Sequence, residues 1–405
     1  MRIAQTGDWH IDEPKGFHDL ARVLDAFVDE CRKTAVDAIL IGGDMYHPRG
    51  VKRSTAREQL FVEEYLKRAA EIAPVIGCRG NHDVDGEVDL FNNLGSRHPI
   101  WFAETPHTYT IRGADILCLP WFDKIHLTAS LPAADADAGE TTRRTIAAAQ
   151  QLLLVMQAQA ALSKESGRIP IGLGHLLVAG SETSTGQILL GETVEISPYD
   201  LSQIGCVYFG LSHIHKHQRW FDGAIAYPGS PTRHDCGEPE IKGFCLVEIE
   251  GRAGDYFIRN DFVELPARGL TLLECDWASD EGRARLREHG IDPNFFALTV
   301  GDQIRGALVR FRYQIRAEDL HLVDEDLIER IFKTDGAIEV KVEADIRHEV
   351  RVRSEEIVLA RSVYEKVEAY WASKSIDVDE ATRARIREKI ASLERPLIKE
   401  TYATA

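Results

Sequence analysis

Ala38-Ile39-Leu40-Ile41-Gly42-Gly43-Asp44-Met45-Tyr46-His47 runs from four consecutive apolar residues through two glycines to a carboxylate and an imidazole. A short, unbroken apolar run of this kind reads as a strand buried on both faces. The glycines permit a sharp exit from it and a close approach of other backbone. Four more runs end in the same manner. Ile3-Ala4 leads into Gly7-Asp8-Trp9-His10, and Pro74-Val75-Ile76 leads into Gly80-Asn81-His82-Asp83. Pro170-Ile171-Gly172-Leu173 leads into Gly174-His175, and Val207-Tyr208-Phe209 into Ser212-His213-Ile214-His215. Ligands in layered α/β proteins collect at the carboxyl ends of strands, so the five strands are expected to deliver these residues to one edge of a sheet. Carboxylate, imidazole and amide oxygen suit a pair of Mn²⁺-like ions. Each motif alone is weak, since a lone histidine is ordinarily a surface or core residue. The ordered set of five is a strong signal.

Between the runs the periodicity changes. Leu20, Val23, Leu24, Phe27, Val28 and Cys31 fall at helical spacing within 17–34, and 55–72 reads as a second helix. Strand and helix alternate as a layered α/β unit requires. Residues 133–140, small and acidic, read as an exposed loop before a helix over 143–163. From Cys206 to Glu250 the pattern turns to strands. Beyond it, Leu270–Glu274 reads extended, Asp280–Glu288 helical, Ala307–Tyr313 alternating, Asp324–Phe332 helical, and Ile338, Val340 and Val342 alternate again. In Ala307–Tyr313 the alternation puts Arg310 and Arg312 on one face, where a solvated sheet is the simpler reading than a phosphate contact. Ile357, Ala360, Tyr364, Val367 and Trp371 form a helical stripe, resumed by Ile386, Ile390 and Leu393 after a break at 375–379. Such a stripe is expected to bury itself on the preceding domain or on a partner. The expected division is 1–268 for the α/β domain, 269–347 for a small α+β domain and 348–405 for a helical tail.

Composition limits the class. A chain of 405 residues exceeds one ordinary core, and 44% hydrophobic content is normal for a globular protein. No unbroken run of 18 apolar residues occurs, so no membrane contact is expected. The start, Met1-Arg2-Ile3, passes straight into a strand, which argues against a signal peptide. Seven scattered cysteines without a C-x-x-C pair favour a reducing cytoplasm. Gly186 and Gly191 are spaced like a phosphate loop, but Glu192 stands where its lysine belongs, so no ATP site is expected. A net charge of −17 argues against simple nucleic-acid binding. The basic segment Arg49, Lys52, Arg53 and Arg57 softens this objection. It reads equally well as a solvated helix entry or as a patch tracking a phosphate backbone.

At this point the motifs resemble the calcineurin-like metallophosphoesterases, and among them the SbcD-type nuclease subunits that act with an SbcC-type ATPase in DNA double-strand-break repair. Three features carry the narrower likeness: Asp44-Met45-Tyr46-His47, Asp8-Trp9-His10, and Tyr227-Pro228-Gly229-Ser230-Pro231 followed by Gly237-Glu238 and Lys242-Gly243-Phe244. The likeness is specific over Met1–Phe244. One departure is Ser212, where the family usually has glycine.

The resemblance implies a metallophosphoesterase β-sandwich flanked by helices, a capping α+β domain that guides DNA, and a helical tail that docks on the coiled-coil ATPase. It implies two divalent ions, Mn²⁺ before Mg²⁺, one held by Asp8, His10, Asp44 and His215 and the other by Asp44, Asn81, His175 and His213. His82 would act on the phosphate or the leaving oxygen, His47 would orient the nucleotide or support His82, and Asp83 would fix the turn and a ring tautomer. The implied activity is exonuclease or endonuclease cleavage at duplex ends or hairpins, with a homodimer built from helices of the first domain. His217 and His234 match no ligand slot, and Trp9 reads as wall packing. Two other classes stay open: a phosphoesterase for cyclic nucleotides or small phosphodiesters, which the acidic charge suits, and a scaffold without catalysis, which the full ligand set disfavours.

Overall fold

The structure, a computed structural model, describes residues 1–15, 17–47, 53–122, 138–184, 187, 194–252, 255–291, 303–347 and 359–401. Two compact units are present. One comprises Met1–Cys275, Ile291–Tyr313 and Asp324–Glu343; the other comprises Asp276–Gly290, Gln314–Val323 and Ala344–Ala405.

The first unit is built on two six-stranded sheets. Strands β1 (Arg2–Thr6), β2 (Ala38–Ile41), β3 (Val75–Cys78) and β4 (Ile100–Ala103) run parallel, and β13 (Gly243–Arg252) and β14 (Asp255–Glu264) add an antiparallel hairpin beside β1, in the order β14-β13-β1-β2-β3-β4. The second sheet has the order β11-β12-β10-β7-β6-β5. Its strands are β5 (His107–Ile111), β6 (Ala114–Leu119), β7 (Ile169–His175), β10 (Tyr208–Ser212), β11 (Gln218–Trp220) and β12 (Ile225–Tyr227). A short parallel pair, β8 (Leu177–Val178) and β9 (Glu195–Ile196), stands apart. The five ligand-bearing runs therefore end on two sheets rather than one: β1, β2 and β3 are neighbours in the first, β7 and β10 in the second. Local periodicity marks a buried strand but carries no record of which sheet it joins.

Strand burial explains the unbroken apolar runs. Ala4, Ile39, Ile41 and Val75 face helices α1 (His18–Thr34) and α2 (Ala56–Ala70). Ile3, Leu40, Ile76 and Cys78 face Ile116, Ile171 and Tyr208 of the second sheet. The outer face of that sheet is covered by α3 (Ala138–Glu165) and α4 (Pro198–Gln203), with Ala149, Met156, Ala160 and Leu201 among Leu117, Leu119 and Leu211. The order is helices, sheet, sheet, helices.

Helix α1 buries the six residues of its expected stripe. Helix α2 opens on Thr55, whose hydroxyl accepts from the Glu58 amide while Glu58 reaches back to the Thr55 amide. Helix α3 begins at Ala138, earlier than its sequence suggests, so Ala138–Glu140 are helical and not loop; residues 133–137 lie outside the described residues. Within α3, Thr145–Glu165 is long and apolar enough to cross a membrane by length and composition. Glutamines interrupt the run, so a search for unbroken apolar stretches passes over it, and its buried residues pack on β6 and β7. The phosphate-loop look-alike falls outside the described residues at all positions but Gln187.

A three-stranded sheet follows, with β16 (Leu308–Arg316) between β15 (Leu270–Asp276) and β17 (Glu339–Arg347). Val309, Phe311 and Tyr313 are buried, and Phe311 packs on Phe332 of α6 (Glu325–Thr334) with ring centroids 5.7 Å apart. Arg310 and Arg312 both pair with Glu343, at 2.9 and 3.4 Å.

In the second unit, α5 (Asp280–His289) is tied by Arg283 and Arg287 to buried Asp319. The tail helices are α7 (Val363–Ser373) and α8 (Glu380–Thr401). Arg383 covers the Trp371 ring at 5.6 Å and Arg387 the Tyr364 ring at 4.4 Å. No residue of α7 is fully buried, so its stripe is half-covered within this chain. Ile357 falls outside the described residues.

Candidate metal centre

Four of the residues at the strand ends leave the strand in the left-handed region: Asp8 (φ 52°), His10 (φ 43°), Asp44 (φ 52°) and His213 (φ 108°). Such conformations cost on the order of 1–3 kcal/mol each and persist only where the surroundings over-determine them. Here they are over-determined. The amides of Asp8, His10 and Ile11 donate to the carbonyls of Gly43, Asp44 and Met45 at 2.9–3.0 Å, which clamps the exits of β1 and β2 together. Gly80 must lack a side chain, because a Cβ there would lie 2.1 Å from Asp44 Oδ1. Ser212, at the end of β10, is wedged between the two sheets: a Cβ on either Gly7 or Gly42 would lie 2.1 Å from its Oγ. The serine that departs from the family's glycine fits because those two residues are glycines.

The side chains converge in two groups. Asp8, His10 and His215 form one, Asp44, His175 and His213 the other, with the donor atoms of each group within 4.8 Å of one another. Asp44 lies between them: its Oδ2 is 3.6 Å from His10 Nε2 and 3.4 Å from His175 Nε2. The Asn81 Oδ1 completes the second group, 2.9 Å from both His175 Nε2 and His213 Nδ1. All seven predicted ligands are thus brought together.

This arrangement asks for cations. His175 Nδ1 donates to the Gly42 carbonyl at 2.7 Å, which leaves Nε2 as the atom facing the Asp44 and Asn81 oxygens, a position that calls for a proton or a cation. His215 Nδ1 donates to Glu238 Oε1 at 2.7 Å, and its Nε2 faces His10 Nε2 at 3.0 Å. His213 Nε2 and His10 Nδ1 are buried without hydrogen-bond partners among the described residues. Burial drives Asp8 up to about 6 and His213 down to about 3. Burial also opposes charge on His175, but Asp44 and Asp8 outweigh it and lift it to about 9. Oxygen and nitrogen donors crowded this closely fit a pair of divalent ions.

The surrounding residues hold the ligands. Glu238 is buried, bonded to His215 and paired with buried Lys242 at 2.7 Å. Burial pushes the Glu238 carboxyl up, yet Lys242 and His215 prevail and keep it well below the usual range. Lys242 Nζ also donates to the His215 carbonyl and to Ser230 Oγ, both at 3.0 Å. Asp83 accepts from the amides of Asp44, Met45 and Gly80 at 2.8–2.9 Å. It holds the turn through these backbone groups, with no ring bond among the described residues.

His82 differs from the ligands. Its side chain is 28% exposed, and its Nε2 stands 4.0 Å from Asp44 Oδ2. Burial lowers its pKa, and Asp44 only partly offsets this. His47 lies beside His10, ring centroids 6.2 Å apart. Of the basic candidates, Arg49 and Lys52 lie outside the described residues. Arg53 donates to the Asp85 carbonyl and Arg57 pairs with Glu13 at 2.6 Å. His217 stacks on Phe262, and its Nδ1 donates to the Tyr227 carbonyl. His234 is closer than its motif position suggests: its ring is 4.9 Å from His10, and its Nε2 donates to the Asp8 carbonyl. Trp121, 4.9 Å from the His213 ring, escapes the motif reading, although Pro120-Trp121 also follows an apolar run, β6.

The family description that matches residues 1–218 is calcineurin-like phosphoesterase. The chain is 27% identical over 293 residues to the Staphylococcus epidermidis protein named as the SbcD component of the SbcCD nuclease, covering 68% of this chain and 73% of that protein. It is 26% identical over 306 residues to the protein of the same name from Rhodobacter capsulatus, covering 67% and 73%. Among solved structures, GAP50, the anchor in the inner membrane complex of Plasmodium, aligns with a TM-score of 0.41 at 16% identity, over 65% of this chain and 84% of that one. With two groups of candidate metal donors at the ends of its strands and a family match over more than half its length, the chain belongs to the calcineurin-like phosphoesterases.

Proposed function

We propose that this protein is a two-metal nuclease that cleaves phosphodiester bonds at DNA ends or hairpins, as the nuclease component of an SbcCD-like complex. The observation that carries the reading is the pair of donor groups sharing Asp44, with His82 beside them both close and partly open to solvent. The identity to two proteins named as SbcCD nuclease components supports the narrower part. One ion is assigned to Asp8, His10, Asp44 and His215, the other to Asp44, Asn81, His175 and His213. Bound there, Mn²⁺ or Mg²⁺ would polarise the phosphoryl group and supply a nucleophile near neutral pH.

The chain's own residues then have distinct tasks. Asp44 holds the two donor groups in one register. The bond from His175 Nδ1 to the Gly42 carbonyl and that from His215 Nδ1 to Glu238 fix each ring so that Nε2 faces inward. Asp83 keeps the Asp44 and Gly80 turns in place and so positions Asp44 and Asn81. His82 reaches the phosphate from the solvent side and protonates the leaving oxygen or stabilises its charge. In this reading, residues 1–268 carry the chemistry, 269–347 guide the DNA, and 348–405 bind the ATPase, which also supplies the cationic surface that a chain of charge −17 lacks. The test is Mn²⁺-dependent hydrolysis of linear duplex, hairpin DNA and a chromogenic phosphodiester. Cleavage of the duplex or hairpin is expected; turnover of the small diester alone would replace the nuclease reading with a small-molecule phosphodiesterase.

A further inference from the structure

The outer face of α3 carries an uncharged strip. From Thr145 to Ser163 the sequence holds no Asp, Glu, Lys or Arg, in a chain where 28% of residues are charged. The buried side of the helix takes Thr145, Ala149, Met156, Ala160 and Ser163. On the open side Ile146, Leu154, Val155 and Leu162 are at least half exposed, Leu154 the most at 63%. Exposed positions on α1 and α2 are instead mostly charged, among them Asp29, Arg32, Lys33, Glu64 and Lys67. A contiguous apolar face of this kind marks an interaction site. Along it Arg143, Ala147, Gln150, Leu154, Ala158, Ala161 and Glu165, all exposed, follow steps of three and four and so share one side of the helix. Outward from Leu154 the strip is nearly its own reverse. Gln151 and Gln157 stand three residues to either side, Ala147 and Ala161 seven, Ile146 and Leu162 eight. Eleven residues out, Arg143 is matched by Glu165.

We propose that α3 pairs antiparallel with α3 of a second copy of this chain, about a two-fold axis at Leu154. A two-fold contact requires a surface complementary to itself, and the reversal about Leu154 supplies one. Leu154 then meets Leu154, and Ala147 meets Ala161, whose small side chains let the helices approach. Arg143 of each copy meets Glu165 of the other, whereas a parallel pair would set like charge against like. Two chains of charge −17 repel over most of their surface, so a face free of charge is where they can touch. A cationic partner would call for acidic side chains, and the strip has none between 145 and 163. On one flank Val155 and Gln159 border a cavity of about 330 Å³ with Leu117, Leu152 and Met156, so the apolar surface continues past the strip. The helix face over 143–165 is about 33 Å long and about 10 Å wide. That is on the order of 300 Å² per copy, against the ~800 Å² of a standard stable interface. The pairing is therefore weak and dissociates on dilution. It stands independently of the nuclease reading.

The test is sedimentation equilibrium of the full chain across the micromolar range. Wild type is expected to show a self-association that reverses on dilution; where another face already pairs two chains, the α3 contact reads as the step from two to four. Leu154→Glu, at an exposed position that the fold does not need, should weaken that step at least about 100-fold, because two carboxylates then face each other across the axis. Arg143→Glu should weaken it about 10-fold, and the double variant Arg143→Glu/Glu165→Arg should restore it. The swap repairs the contact only if residue 143 of one copy lies against residue 165 of the other. Under mild oxidation Leu154→Cys should crosslink to itself, whereas Ala147→Cys and Ala161→Cys should crosslink only when the two proteins are mixed. A single mass at every concentration would overturn the pairing. So would an association untouched by Leu154→Glu, which would place the contact on another face, and crosslinking of Ala147→Cys to itself without its mate would overturn the antiparallel register.

Discussion

The polar groups of Asp44 reach several neighbours: Oδ2 faces His10 and His175, Oδ1 accepts from the His82 amide, its carbonyl accepts from the His10 amide, and its own amide donates to Asp83. Replacing it by alanine should remove the carboxylate common to both donor groups. Calorimetry of Asp44→Ala is expected to lose two-site Mn²⁺ binding, and two tight sites persisting in the variant would reassign the bridge. His82 makes the opposite prediction. His82→Ser should keep its metal content and DNA affinity while turnover falls on the order of 10²–10⁴-fold; parallel loss of metal would place the ring among the ligands. The convergence of the candidate donors was legible because residue type and position after a strand are local facts. Glu238, Lys242 and His234 owe their importance to what they touch: Glu238 meets His215, and His234 meets Asp8 some 226 positions away. No spacing rule announces such a meeting.

At the scale of elements, stripes on α1 and α2 were readable since each buries one face on one sheet. The tail stripe is half-covered within this chain, its aromatics lying under arginines, and sequence alone does not distinguish such a face from one buried in the chain's own core. The assignment of strands to two sheets was not readable either, since pairing is long-range. One such pairing offers a pH test. Asp115 of β6 accepts from Arg168, just before β7, at 2.8 Å, and from Thr110 of β5 at 2.7 Å. Burial raises its pKa, but its hydrogen bonds with Ser163, Arg168 and Thr110 prevail and hold it below its ordinary 3.8. A carboxyl depressed in the folded state stabilises above the unfolded pKa, and that stability drains away as pH falls through the folded value. Melting temperature should therefore fall more steeply below about pH 4 in wild type than in Asp115→Asn. Parallel curves would mean the ion pair contributes nothing.

For the whole molecule, the tail tests how function is divided. Truncation after Arg347 should leave a soluble chain with Mn²⁺-dependent nuclease activity that has lost ATP-stimulated cleavage with an SbcC-like partner. Full-strength co-purification of the truncated chain with that partner would refute the docking role, and an insoluble product would show that the stripe packs on its own fold.

Ser212 joins the two sheets by occupying space that Gly7 and Gly42 leave vacant. These three positions, drawn from β10 and from the exits of β1 and β2, share a single volume, although a Cβ on Gly7 would also lie 3.2 Å from the Gly42 nitrogen. A side chain at 42 and one at 212 are therefore alternatives for the same space. Gly42→Ala alone should destabilise by about 1–3 kcal/mol, the usual cost of overpacking, and Ser212→Gly in the same chain should restore most of it, leaving only an ordinary 3.5 Å contact with the Ser212 Cα. Urea denaturation of the four proteins in the cycle would measure that coupling; strict additivity would show the sheets free to part. If they are not, glycine at 7 and 42 is a debt to residue 212, and none of the three sites has a preference of its own that can be read without the other two.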